Sequence, residues 1–129
     1  MGAINEPPQS YLVPIMMEQL IDEYISEMEG KHVIEKISLF HLKFETIHPF
    51  IDGNGRTGRL ILNLELMKEG YPPINIKFKD RKRYYDSFAD YHLKSGNPSM
   101  LTDMVIKYIE EELDKYISVL EVANNINGW

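Results

Sequence analysis

His48-Pro49-Phe50-Ile51-Asp52-Gly53-Asn54-Gly55-Arg56-Thr57-Gly58-Arg59 decides the fold, because it interrupts helical periodicity between two apolar stripes. Before it, Val33, Ile34, Ile37, Phe40, Phe44 and Ile47 recur at a period of 3.6, which predicts a helix from His32 to about Ile47. Pro49, Gly53 and Gly55 then break the pattern, so a loop is expected. A helix resumes at Arg56 or Thr57. Its apolar residues Leu60, Ile61, Leu62, Leu64, Leu66 and Met67 lie nearly all round, which predicts a central, buried helix ended by Gly70-Tyr71-Pro72-Pro73.

Outward from that centre the rest also reads as helix. Ile15, Met16, Leu20, Tyr24, Ile25 and Met28 predict a first helix from Pro14, stopped by Gly30, after an extended lead-in over Met1 to Ser10. Ile74, Ile76 and Phe78 alternate with polar residues, as in a short strand or extended connector. Asp80 is placed to cap a fourth helix running to about Ser95, with Tyr84, Tyr85, Phe88 and Tyr91 on its inner side. Asn97-Pro98 opens a fifth helix whose stripe is Leu101, Met104, Val105, Tyr108, Ile109, Leu113, Tyr116 and Leu120. The expectation is one all-α domain over 1–129, with its core at about 7–120.

Composition narrows the function classes. The 129 residues contain 43 % apolar and 26 % charged side chains, typical of a globular protein, and no cysteine for disulfides or thiolate-bound metals. No apolar run is long enough to cross a membrane, and a cytoplasmic setting is expected. The net charge of −6 argues against a general nucleic-acid binder. It is unevenly spread: residues 48–83 hold eight basic and four acidic side chains, a local +4 that leaves −10 for the remainder.

The chemistry concentrates in the quoted loop. Gly53 and Gly55 around Asn54 permit left-handed backbone that turns successive N–H groups toward one point, an anion-binding nest. The following helix presents free N–H groups and its positive dipole end to the same place. Arg56 and Arg59, three apart, can clamp one polyanion. Asp52 at the lip suits Mg²⁺, which takes one or two carboxylates plus phosphate oxygens. His48, with an ordinary pKa of about 6.5, is the candidate base. Together these groups point to nucleotidyl or phosphoryl transfer. Gly53 to Gly58 formally matches G-x-G-x-x-G, but the segment before it is helical rather than the strand of a βαβ unit. A calcium loop fails because Thr57 and Asn63 occupy its glycine and closing-glutamate positions. As a bland alternative, the stretch is an ordinary helix-loop-helix turn with His48 as a capping residue.

On these residues the chain resembles the Fic family, whose signature HPFx(D/E)GNGRxxR is matched completely by His48 to Arg59. Phe44-Glu45-Thr46-Ile47, Glu69-Gly70-Tyr71-Pro72-Pro73 and the proline-containing lead-in extend the resemblance over most of residues 7–120. It implies transfer of AMP from Mg-ATP to a side-chain hydroxyl of a target protein, with release of pyrophosphate. Carried over by position, His48 deprotonates the hydroxyl and Asp52 binds Mg²⁺. Asn54 with the Gly53 and Gly55 backbone holds the α-phosphate, and Arg56 and Arg59 hold the β/γ end. Gly58 is counted with these nucleotide-binding positions, and Phe50 is expected to anchor the loop in the core. Having Gly55 and both arginines, where Doc-type kinases read D-A-N-K-R, favours AMP transfer over phosphorylation. The alternatives kept open are transfer of a phosphoryl, UMP or phosphocholine group, or a nucleotide-binding interaction domain with little intrinsic activity. Tyr84, Tyr85 and Tyr91 are either core residues or a purine-stacking surface, and Lys77 to Arg83 is either a ligand cluster or a solvated face.

Two departures from the family are expected. Only Gly2 to Glu6 precede Pro7, so the β-hairpin flap that docks the target looks absent or cut short. An inhibitory helix, S/TxxxE(G/N), is only approximated by Ser26-Glu27-Met28-Glu29-Gly30, which is read as a helix end. Inhibition then comes from a partner chain or a missing segment, or the chain is a piece of a longer protein.

Overall fold

The computed structural model of the chain describes residues 6–27 and 30–127. Five helices follow one another: α1 (Val13–Asp22), α2 (Val33–Ile47), α3 (Asn54–Lys68), α4 (Arg81–Leu93) and α5 (Ser99–Asn127). The described residues contain no strand, as the all-α reading requires. A 3₁₀ turn over Ser10–Leu12 leads into α1, and a π-helical turn, Glu23–Glu27, prolongs it. The flap expectation and Met28 and Glu29 of the inhibitory-like segment fall outside the described residues, apart from an exposed Glu6.

The central place belongs to α2, which packs on α1, α3 and α5. Its buried side chains Ile34, Ile37, Leu42, Phe44 and Ile47 lie on more than one face, each contributing about 1.5–3 kcal/mol by leaving water. One cluster joins α2 to Leu62, Leu66, Tyr84, Phe88, Leu101, Val105 and Ile109, and a smaller one joins Phe44 and Ile47 to Leu20 of α1.

The expectation of a wholly buried α3 is corrected. Its buried residues, Asn54, Gly58, Leu62 and Leu66, form a single line four residues apart, while Leu60, Leu64 and Met67 are exposed. An apolar composition all round a helix does not say which neighbours exist to cover it, and among the described residues the helix that α3 packs against most is α2. The stripe of α5 is corrected in the same way: Leu101 to Ile109 is core, but Leu113, Tyr116 and Leu120 are exposed because the helix runs on past its packing partners. On α1, Ile15 is likewise exposed, as is Ile25 in the turn that follows.

Residues 71–77 form an extended connector rather than a strand. Asn63 of α3 does what a neighbouring strand would do: its Nδ2 donates to the Ile74 carbonyl (2.9 Å) and its Oδ1 accepts from the Ile74 N–H (2.8 Å). Asp80 stands at the N-cap position of α4 without bonding to the helix. Its carboxylate instead receives the Tyr108 hydroxyl, which ties the start of α4 to α5.

Candidate functional site

The loop begins where α2 is forced to stop. His48 adopts left-handed backbone (φ 54°, ψ 60°), a conformation uncommon outside glycine, while its N–H still bonds to the Phe44 carbonyl at 3.0 Å. The bland reading was therefore right about the backbone: His48 is the C-cap of α2. That cap also leaves the side chain exposed at the loop mouth.

Asn54 braces the loop. Its Oδ1 accepts from the Phe50 N–H (2.8 Å) and its Nδ2 donates to the Phe50 carbonyl (2.7 Å), closing residues 50–54 into a ring. The carboxamide expected to hold a phosphate is thus spent on the backbone, and what Asn54 offers a ligand is its main-chain N–H. Phe50 anchors the loop through that same backbone rather than by its ring, which is half exposed, and Ile51 at the tip is fully exposed.

Gly53, at φ 82°, is the N-cap of α3 and the one left-handed glycine of the motif. Gly55 is helical, which corrects the expectation of two left-handed glycines. The first intrahelical bond runs from Thr57 N–H to the Gly53 carbonyl (2.9 Å), so the N–H groups of residues 54–56 have no acceptor within the helix. A Cβ on Gly53 would stand 3.2 Å from Arg56 Nη2, and one on Gly55 would stand 3.1 Å from Arg59 Nη1. Both guanidinium groups therefore fold back over the glycines to the helix start. Each arginine thus lies beside the first turn of α3, Arg56 over Gly53 and Arg59 over Gly55.

Asp52 projects into solvent, its side chain 93 % exposed. Its Oδ1 accepts the Gly53 N–H at 2.8 Å and its Oδ2 lies 3.8 Å from Arg56, an exposed pair that stabilises little by itself. Among the described residues no three His, Cys, Asp or Glu side chains gather into a metal cage. The donor set suits only an ion that brings most of its ligands from water and phosphate, which is the habit of Mg²⁺.

Gly58 is the member of the expected set that faces elsewhere. A Cβ there would lie 2.2 Å from Glu45 Oε1 and 3.2 Å from His41 Cε1, so the missing side chain is what lets α3 close on α2. The structure gives it a part in helix packing. Behind it His41, Glu45 and Tyr84 form a buried polar group that sequence reasoning did not assign. The signal was present: two polar side chains four apart, His41 and Glu45, sit on an otherwise apolar face. Burial holds His41 down to about 4, partly offset by its bond to the Gly58 carbonyl, and the Arg59 charge lowers it further. Burial raises Glu45, with Arg59 opposing.

The unfolded chain takes a proton on His41 at about pH 6.5, whereas the folded protein resists until about 4. The stability linked to His41 is present above pH 6.5 and is lost as pH falls toward 4, an effect of about 3 kcal/mol. Denaturant unfolding between pH 4 and 7 should show a shallower slope in His41→Gln than in the parent. Glu45 contributes a slope of opposite sign in both proteins, so equal slopes would contradict the assignment.

A cavity of about 320 Å³ opens beside Arg59, lined also by Lys77, Phe78, Arg81, Tyr84 and Tyr85. Arg81 rests over the Phe78 ring at 4.2 Å. The expected tyrosine set divides: Tyr84, a buried residue, and Tyr85 have rings 5.7 Å apart and both line the cavity, whereas Tyr91 lies against α1 and Lys43.

The Fic/DOC family pattern matches residues 3–66. A protein adenylyltransferase of Caenorhabditis briggsae, fic-1, is 36 % identical over 115 residues, covering 88 % of this chain and 22 % of that protein. Protein adenylyltransferase Fic of Nematostella vectensis is 40 % identical over 87 residues, covering 67 % and 20 %. A solved structure of a Fic-1 segment from C. elegans superposes with a TM-score of 0.77 at 32 % identity, covering 88 % of this chain and 34 % of that one. The chain spans about a fifth of the length of the curated relatives it matches.

Proposed function

The chain belongs to the Fic/DOC family, and on that premise we propose that it is a protein adenylyltransferase, moving AMP from Mg-ATP to a Ser, Thr or Tyr hydroxyl of a target protein. The observation that carries the reading is the braced loop. It sets an exposed His48, an exposed Asp52 and the two folded-back arginines around the free N–H groups of α3. The relatives named for adenylyl transfer supply the choice of AMP over other groups.

In this reading the target's hydroxyl oxygen forms a bond to the α-phosphorus, and the bond from that phosphorus to the bridging oxygen of pyrophosphate breaks. His48 takes the hydroxyl proton, and pyrophosphate leaves with the electron pair of the broken bond. Main-chain N–H groups at residues 54–56 receive the charge that builds on the α-phosphate. Arg56 and Arg59 neutralise the departing end, and orientation of the two reactants supplies much of the remaining rate. Asp52 would hold Mg²⁺, which when bound neutralises charge on the phosphate chain.

ATP labelled at the α- or the γ-phosphate, offered with candidate target proteins, tests the proposal. Label entering protein from the α-position alone is the expected result. Label entering from the γ-position alone would mean phosphorylation and overturn it. Binding of Mg-ATP with no transfer to any protein would favour a nucleotide-binding interaction domain.

A further inference from the structure

Lys77 and Arg81 have no part in the reaction above, and the cavity they border beside Arg59 is unlike the rest of this acidic chain. Fourteen basic side chains stand against twenty acidic ones, and cations elsewhere take carboxylate partners, among them Lys43 with Glu23, Lys82 with Asp86 and Lys94 with Asp90. Arg59, Lys77 and Arg81 enter no ion pair among the described residues. All three line the same cavity of about 320 Å³, and no described carboxylate lines it with them. Unpaired cations gathered at one concave place, in a chain where carboxylates are in excess, focus field on a region suited to an anion.

The segment that carries Lys77 is held from two helices. Asn63, one helical turn beyond Arg59 on α3, grips Ile74 by its carbonyl (2.9 Å) and its N–H (2.8 Å). The Lys77 N–H donates to the Tyr108 hydroxyl of α5 at 3.0 Å, and the Asp80 N–H closes a turn onto the Lys77 carbonyl at 2.9 Å. Asp80, the nearest carboxylate in sequence, is engaged by the Tyr108 hydroxyl and lines a different, smaller cavity with it. It therefore leaves the three cations unneutralised. Arg81 is ordered by a ring instead of an acid: its guanidinium carbon stands 4.2 Å from the centre of Phe78, a contact that holds the group and keeps its charge for a ligand.

We propose that Lys77 and Arg81, together with Arg59, form a landing site for inorganic pyrophosphate, the leaving group of the reaction. The identity of this ligand rests on the adenylyltransferase reading. Arg59 belongs to both places, since it lies beside Gly55 at the start of α3 and also borders the cavity. The anion it neutralises during bond cleavage thus has further cationic contacts to move onto. Pyrophosphate carries its charge on two phosphate groups, so it can engage cations from more than one segment at once, which orthophosphate does less well. The cavity volume lies at the lower end for small-ligand sites, about 300–1,000 Å³. Because the site holds the product, it governs release and product inhibition more than Mg-ATP binding.

Calorimetric titration of inorganic pyrophosphate into the nucleotide-free protein tests this without any transfer. Lys77→Met keeps the stem and the main-chain N–H that Tyr108 holds, and Arg81→Met keeps a stem against Phe78. Each should weaken pyrophosphate binding about tenfold, the worth of one contact to a charged group. Lys115→Ala, an exposed lysine of α5 outside the cavity, should leave it unchanged. Orthophosphate should bind more weakly than pyrophosphate. In transfer assays both methionine variants should need about tenfold more pyrophosphate for the same inhibition, while Mg-ATP affinity changes less. Pyrophosphate affinity unchanged in both variants, or lowered as much by Lys115→Ala, would overturn the site even in a protein that transfers AMP. Equal losses of Mg-ATP and pyrophosphate affinity would overturn it as a product site. Pyrophosphate held through Lys77 and Arg81 by a protein that transfers γ-label alone would uphold the anion site and remove the adenylyltransferase reading instead.

Discussion

Replacing His48 by alanine should lower AMP transfer by about 10²–10⁴-fold, the usual worth of a positioned general base, while Mg-ATP affinity stays nearly unchanged. The separation follows from where the residue sits. Phosphate contacts are assigned to the start of α3 and its arginines, and none to His48, which is the C-cap of α2. The loop itself is braced by Asn54 on the Phe50 backbone, and His48 contributes only its main-chain N–H to the structure. Alanine keeps that N–H and meets the same left-handed backbone that histidine already tolerates, so the fold should persist. Calorimetry with Mg-ATP alongside transfer of α-label separates the two quantities. Parallel loss of affinity and turnover would give His48 a binding role in place of the base.

Gly58→Ala should be the most damaging of the conservative changes, costing about 1–3 kcal/mol as an overpacked contact. The added carbon would stand 2.2 Å from Glu45 Oε1, a separation no pair of atoms can keep. Glu45 is buried on α2, so its carboxylate must shift to admit the carbon, and the buried His41 ring, 3.2 Å away, crowds it as well. The strain should be shared with Glu45: in a Glu45→Ala background the same glycine change should cost less than it does alone, the mark of direct contact. Urea titration of the four proteins measures this, and strictly additive losses would argue against the contact.

Helix order and the loop that follows His48 were legible in the sequence, because proline, glycine and period-3.6 stripes act locally, although α3 begins at Asn54, earlier than the expected Arg56 or Thr57. Burial was less legible. Leu60, Leu64 and Met67 carry the same apolar signal as Leu62 and Leu66, and only the position of α2 separates the two groups. The site shows the same limit. Residue type correctly marked Asn54 as important, but its carboxamide closes the loop, and nothing in the sequence says whether an amide will turn to a ligand or to its own backbone. Gly55 was read as a backbone hinge, whereas its lack of a side chain makes room for the Arg59 guanidinium four residues on. The buried hydrogen bonds of His41 join it to Gly58 and to Tyr84, a long-range meeting that no local spacing encodes.

Two asparagines of α3, Asn54 and Asn63, each grip a stretch of non-helical backbone by both its N–H and its carbonyl, one at Phe50 and the other at Ile74. The helix thereby serves as the shared spine of the segments on either side of it in the chain. Rigidity here is inherited from one element and not built up by the segments themselves. Loosening α3 would release the base-bearing loop and the cavity-lining connector as a single cooperative unit, and anything that stiffens α3 would tighten both at once.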